Sequence, residues 1–111
     1  MSNRLIGRFY FKKTANGNLV GEYSNRHAAS VRSYAEAASR ISSGSDWIGD
    51  YVTTWCEAPN NECFSAKLQI TARPHCVGIF SLRWDSVSGS RLFSGEAMLC
   101  DDMLVGDYTD K

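Results

Sequence analysis

Alternation with a period of two residues runs through this chain and restricts it to sheet. In Phe64-Ser-Ala66-Lys-Leu68-Gln-Ile70-Thr-Ala72-Arg every second residue is apolar and its neighbours are polar or charged. That is the pattern of a strand with one dry face and one wet face. Gly78 to Trp84 and Phe93 to Leu99 repeat it, and Leu5 to Lys12, Leu19 to Tyr23, Trp47 to Trp55 and Leu104 to Tyr108 complete a set of seven strands. Turn chemistry separates them. Asn16-Gly17 predicts a type I′ hairpin turn, because both central residues of such a turn need positive φ. Pro59-Asn60-Asn61 and Ser88-Gly89-Ser90 predict longer loops, and Cys100-Asp101-Asp102 a tight reversal. Five of the six junctions are hairpin-sized, which predicts an antiparallel up-and-down meander.

The exception lies between Ser24 and Asp46. Val31, Tyr34/Ala35, Ala38 and Ile41 fall on one helical stripe, which predicts a short helix at 28–41, plugging one end or packing outside. An eighth strand through the same residues is the alternative, against which the alanine content counts.

Seven or eight amphipathic strands in an open sheet would leave two edges unpaired, and closing the sheet removes both. The expected fold is therefore all-β, a single domain over residues 1–111, closed into a seven- to eight-stranded barrel. Such an interior is either filled by side chains or holds one small ligand. The inward face reads as apolar and aromatic: Leu5, Phe9, Phe11, Leu19, Leu68, Ile70, Leu82, Leu99 and Leu104, with the rings of Trp47, Phe64, Phe80, Trp84 and Phe93. Tyr23, Tyr51, Thr53, Trp55 and Tyr108 add hydroxyl or indole N–H groups, and no Asp, Glu, Lys, Arg or His falls on that face.

A smaller unit recurs inside the strands, a glycine two residues before an inward ring: Gly7/Phe9, Gly21/Tyr23, Gly49/Tyr51, Gly78/Phe80 and Gly106/Tyr108, with Gly95/Ala97 as a variant. Glycine weakens a strand, so this repetition needs a cause. Either the sheet coils sharply and neighbouring rings need the space, or a ligand does.

Charge and length exclude other classes. Twelve Lys+Arg balance twelve Asp+Glu, so no cationic footprint for nucleic acid is expected. No apolar run reaches the length of a membrane-spanning helix. The opening Met1 to Gly7 lacks the basic-then-apolar pattern of a secretory leader, which points to a cytoplasmic protein. Cys56, Cys63, Cys76 and Cys100 are then expected as reduced thiols, Cys56 and Cys63 facing each other across a hairpin as small apolar residues. With His75 they lack paired ligand spacing, so neither a metal nor any cofactor is expected.

The strands resemble those of the avidins, within the wider lipocalin and avidin group of small ligand-binding barrels. Phe80-Ser-Leu82-Arg-Trp84 followed by Phe93-Ser-Gly95 is similar to the avidin pattern Phe-x-Val-x-Trp…Phe/Trp-x-Gly, and Trp47-Ile-Gly49-Asp-Tyr51-Val-Thr53 to Phe-x-Gly-x-Tyr-x-Ser/Thr. Leu19-Val-Gly21-Glu-Tyr23 echoes the second pattern. The resemblance implies that Tyr51 and Thr53 offer hydroxyls to a ligand head group while Trp84 and Phe93 wall its apolar part. The biotin site itself is not matched. Gly89 and Arg91 stand where avidins carry small hydroxyl residues, and Tyr10-Phe11-Lys12 where they carry Asn-Asp and Ser.

The expected function is binding of a small, largely apolar or aromatic molecule in the lumen, with Tyr23, Tyr51, Thr53, Trp55, Phe80, Trp84, Phe93 and Tyr108 as binding residues. The alternative is a side-chain-filled barrel that assembles as a homodimer or homotetramer through its sheet faces. Tyr10, Val20, Ile48, Val52, Ile79, Met98 and Val105 fall outward. A small barrel enzyme such as an isomerase or cyclase ranks third. His27 and His75 read as loop residues and Asp101-Asp102 as a turn pair, so no catalytic residue is assigned.

Overall fold

The computed structural model describes residues 6–25, 33–44, 46–57 and 61–110. Among them eight strands follow one another: β1 (Ile6–Lys13), β2 (Leu19–Asn25), β3 (Tyr34–Arg40), β4 (Gly49–Glu57), β5 (Glu62–Ala72), β6 (Ile79–Asp85), β7 (Arg91–Cys100) and β8 (Met103–Asp110). Each pairs antiparallel with the next, and β8 returns to pair with β1, closing the barrel. Leu5, at the start of the expected first strand, lies outside the described residues.

The helix expected at 28–41 is not formed where the chain is described: Tyr34–Arg40 is a strand between β2 and β4, with Val20 opposite Ala37 and Ala38 opposite Thr53. Val31 and residues 28–32 lie outside the described residues. Closure explains the outcome, because β2 and β4 would otherwise each present an unpaired edge. The helical stripe was a coincidence of spacing.

The connections alternate between the barrel's two ends. Asn16-Gly17 does not form a two-residue type I′ turn. Lys13 pairs with Leu19, leaving a five-residue loop in which Gly17 N–H donates to Thr14 O at 3.0 Å and Asn18 N–H to the Thr14 hydroxyl at 3.1 Å. The loop from Ser86 to Ser90 uses the same device: Gly89 N–H donates to Ser86 O at 2.9 Å and Ser90 N–H to the Ser86 hydroxyl at 3.0 Å. A hydroxyl at the first position and glycine at the fourth suit a type I turn. Gly78 lies in a turn at φ 79° rather than in β6.

The core occupies one half of the barrel. Phe11, Leu19, Tyr51, Leu68, Ile70 and Leu104 are fully buried there. A side chain of this size contributes about 1.5–3 kcal/mol when withdrawn from water. That end is sealed by Arg40, which points inward from β3. Its Nη1 donates to Tyr51 Oη at 2.9 Å and Asp46 O at 2.5 Å. Nη2 donates to Ser43 O at 3.1 Å and Ile48 O at 2.8 Å, and Nε to Ser42 O at 3.1 Å. The guanidinium thereby ties together Ser42, Ser43, Asp46 and Ile48 of the β3–β4 loop and plugs the barrel. Trp47 sits on this loop, not on β4, packed against the core with the Lys13 ammonium 4.9 Å over its ring.

The glycine repeat is explained by packing at Gly7, Gly95 and Gly106. Gly7 lies opposite Tyr108, and a Cβ added there would fall inside the Tyr108 ring. Added at Gly95 or Gly106 it would meet the carbonyl oxygen of the neighbouring strand, Asp107 or Glu96. Glycine lets β7 and β8 approach closely and lets a ring lie over the strand.

Phe64 and Leu99, expected inside, are partly exposed. Cys56 and Cys63 do oppose each other across the β4–β5 hairpin, but their sulfurs are joined in a disulfide, which corrects the expectation of free thiols for this pair. Cys76 and Cys100 are free and exposed.

Candidate functional site

The open half of the barrel is lined differently from the closed half. Phe9, Trp84, Phe93 and Tyr108 form a connected set of rings. Phe9 meets Trp84 at 5.5 Å, Trp84 meets Phe93 at 6.5 Å, and Phe93 meets Tyr108 at 5.6 Å, all near-perpendicular. Trp55 extends the set, 6.1 Å from Phe93. These rings, with Tyr23, Asn25, Glu36 and Glu57, surround a cavity of about 40 Å³ that opens at the end of the barrel opposite Arg40. Its enclosed part has room for little more than water and is partly polar, so it need not stay dry, and the site continues into the open mouth beside Asn25 and Glu57.

A carboxyl group sits at its inner end. Glu36, only 7% exposed, points inward from β3. Its Oε2 accepts the Thr53 hydroxyl at 2.6 Å and the Trp84 indole N–H at 3.0 Å. Burial pushes this carboxyl above its ordinary range, against the two hydrogen bonds, which favour the charged form. No cation pairs with it among the described residues. The expectation that no ionisable group faces the lumen is therefore overturned twice on one strand, by Glu36 and by Arg40.

The period-two rule applied to 34–40 would have found both, since Tyr34, Glu36, Ala38 and Arg40 share a face. Treating the segment as helix hid that face.

Glu57 lies nearer the mouth, where its Oε2 accepts the Trp55 indole N–H at 3.1 Å. Asn25 donates its amide N–H to Tyr108 Oη at 3.1 Å. Tyr23, also 7% exposed and beside Tyr34 at 5.8 Å, buries its hydroxyl with no hydrogen-bond partner among the described residues. Burial and then the Glu57 carboxyl push its phenol well above the ordinary range. A buried hydroxyl without a partner costs about 1–3 kcal/mol, so it demands an explanation.

Of the eight binding residues read from the sequence, Tyr23, Trp55, Trp84, Phe93 and Tyr108 line this cavity. Thr53 lies beneath it, holding Glu36. Tyr51 is at the other end, donating to Trp47 O at 2.8 Å and accepting from Arg40, so it has no face toward the cavity. Phe80 packs against the core beside Ala72 and Ala97 and does not line the cavity. The sequence reading missed Phe9 as a wall residue, and Asn25, Glu36 and Glu57 altogether. His27 lies outside the described residues, whereas His75 is exposed on the β5–β6 turn and Asp101 and Asp102 on the β7–β8 turn. Among the described residues no three His, Cys, Asp or Glu side chains gather as metal ligands.

An eight-stranded antiparallel meander is common to unrelated barrels, so the architecture alone does not decide between the avidin-like group and others. No family model, curated protein or solved structure matches the chain, which leaves its site to be read from geometry.

Proposed function

We propose that this protein binds a small organic molecule in the open half of the barrel, its apolar or aromatic body among Phe9, Trp84, Phe93 and Tyr108 and its polar group against Glu36. The observation that carries the reading is the Tyr23 hydroxyl, buried without a partner on the wall of an aromatic cavity that also contains a buried carboxyl. A barrel packed only for stability would have no use for either group. Apolar walls with a few convergent polar groups are the usual make-up of a ligand site.

Titrating a single-ring alcohol, 2-phenylethanol, while following tryptophan fluorescence tests this, because Trp55 and Trp84 line the cavity. A saturable change is expected, weakened in Trp84→Phe and retained in Trp47→Phe, which alters only the closed end. A response that never saturates, or equal weakening in both variants, removes the pocket reading.

A second reading, self-association, is favoured by the outer surface. Tyr10, Val105, Met98 and Ile79 lie in one row across β1, β8, β7 and β6, each the register partner of the next. Met98 is 55% exposed. Met98→Glu should convert any homodimer or homotetramer seen by light scattering to monomer. A monomeric wild type disposes of this reading.

A further inference from the structure

We infer that the ligand is an organic cation, an ammonium head group seated between Glu36 and Tyr23 with a ring or alkyl body among the aromatic walls. The inference rests on the pocket reading above and sharpens it.

The described wall contains two carboxyl groups, Glu36 and Glu57, and no Lys, Arg or His. Its strongest donors are already engaged. The Trp84 indole N–H and the Thr53 hydroxyl are on Glu36, and the Trp55 indole N–H is on Glu57. The Asn25 amide is on Tyr108. A carboxylate or phosphate ligand would find these donors taken, only the Tyr23 and Tyr108 hydroxyls left to donate, and two acidic groups beside it. An ammonium group finds the reverse: acceptor oxygens and ring faces.

The geometry of the rings adds to this. Trp84 and Phe93 stand at 85° to each other and Phe93 and Tyr108 at 81°. The cavity therefore meets π-systems turned in several directions, and a π-face attracts a cation. Glu36 completes the argument. It is a carboxyl taken out of water and supported by two neutral donors on one oxygen, with no counter-charge among the described residues. A buried carboxylate without a cation is strongly disfavoured, and a cationic ligand supplies what the barrel withholds. The Tyr23 hydroxyl, otherwise unpartnered, accepts a second N–H of the ammonium.

Affinity should also depend on pH. The titratable groups around Glu36 are Tyr23 from β2, Tyr34 from its own strand, Glu57 from β4 and Tyr108 from β8, none of them cationic. Burial disfavours the Glu36 carboxylate in the empty barrel, so seating the cation favours the ionised form and displaces the proton to solvent wherever the carboxyl carries one. Binding therefore strengthens as pH rises until Glu36 ionises unaided.

Three probes with one ring and nearly equal length decide the matter: phenethylammonium, 2-phenylethanol and 3-phenylpropanoate. Each is titrated by calorimetry and tryptophan fluorescence at about pH 4.5 and about pH 8, one near the ordinary carboxyl range and one well above it. The ammonium should bind at least about 10-fold tighter than the alcohol, equivalent to about 1.4 kcal/mol. The propanoate should bind most weakly. Glu36→Gln should abolish the preference for the ammonium, and Glu57→Gln should reduce it.

Should Glu36→Gln fail to fold, as judged by near-UV circular dichroism, the wild type and Glu57→Gln decide. Heats measured in buffers of unlike ionisation enthalpy must then show, at the lower pH, where Glu36 carries more of its proton, proton release on binding the ammonium but not the alcohol. Absence of that release, with an unaltered preference in Glu57→Gln, overturns the proposal. Alcohol binding as tight as the ammonium, or propanoate binding tighter, overturns the cation inference and leaves the pocket intact. No saturable response to any probe overturns both.

Discussion

Replacing Glu36 by glutamine isolates a carboxyl that the barrel buries without a cation among the described residues. Glutamine keeps the side-chain length and an amide oxygen that can accept from the Thr53 hydroxyl and the Trp84 indole, so packing changes little. Burial raises the Glu36 carboxyl in the folded protein, so the native state holds its proton more tightly than the unfolded chain does. The wild type therefore has the full benefit of a neutral Glu36 below the ordinary carboxyl range, near about pH 4. It loses that benefit as pH rises from the unfolded value through the folded one. Over this interval a single proton gives a slope approaching about 1.4 kcal/mol per pH unit. Glutamine does not titrate. Glu36→Gln should thus match the wild type most closely below about pH 4 and become progressively more stable than it as pH rises from there. Once Glu36 is ionised in the fold, the gap stops widening. Urea unfolding of both proteins over a pH series, compared at equal m-value, reads the difference directly. Groups such as Glu22, held low by hydrogen bonds from Ser33 and then Tyr10, are common to both proteins and cancel. Parallel stability curves, or a variant that loses ground as pH rises, would refute the reasoning. Parallel curves would mean that folding leaves the Glu36 carboxyl unshifted, and the second result that the native barrel stabilises its carboxylate.

Arg40→Lys should destabilise the protein by about 1–2 kcal/mol in urea unfolding, since an ammonium cannot span four carbonyls and Tyr51 and loses bonds that are part-buried at Ser42 O and Tyr51 and exposed at the other three. A loss under about 0.5 kcal/mol would show that the plug is dispensable. Tyr23→Phe removes the partnerless hydroxyl and should raise stability by about 1 kcal/mol while weakening ammonium binding, with a loss of stability contradicting the assignment. Reducing the Cys56–Cys63 bridge, which spans a sequence separation of 7, should cost about 2.5 kcal/mol by loop entropy. The test is a shift of the urea midpoint with reductant, the state of the thiols being verified by mass, and an unmoved midpoint would count against it.

The barrel was legible from local sequence because its strands obey the outside-polar rule. Phe64 to Ala72 is the clearest case: Ala66, Leu68 and Ile70 are buried and the residues between them exposed. β3 inverts the rule. Glu36 and Arg40 face inward and Ala35, Ala37 and Ser39 face out, so polarity points the wrong way along its length. What makes the inward charge of Glu36 tolerable lies on other strands, Thr53 and Trp84, far away in sequence, while Arg40 relies on the carbonyls of the loop that follows it and on Tyr51. No window read in isolation contains that information. The aromatic walls were recoverable by counting in twos, whereas which half of the lumen each ring occupies depends on register. Tyr51 and Trp55 illustrate this: both are inward residues of β4, yet one braces the plug and the other lines the cavity. The glycine repeat was visible, but its meaning at Gly7 required knowing that Tyr108 lies across the seam.

That seam has a kinetic consequence. Every neighbouring pair of strands from β1 to β8 is joined by a short connection, so most of the sheet can zip up from adjacent segments. The pairing of β1 with β8 is of another kind, joining Ile6 to Thr109 and Lys12 to Met103. Those partners meet only after a search over nearly the whole length of the chain, which makes closure the slow step of folding. Until it happens β1 and β8 each present a row of unsatisfied amides and carbonyls, and another copy of the same chain can pair with either as well as they can with each other. Refolding yield should therefore fall with protein concentration more steeply than native stability alone would suggest.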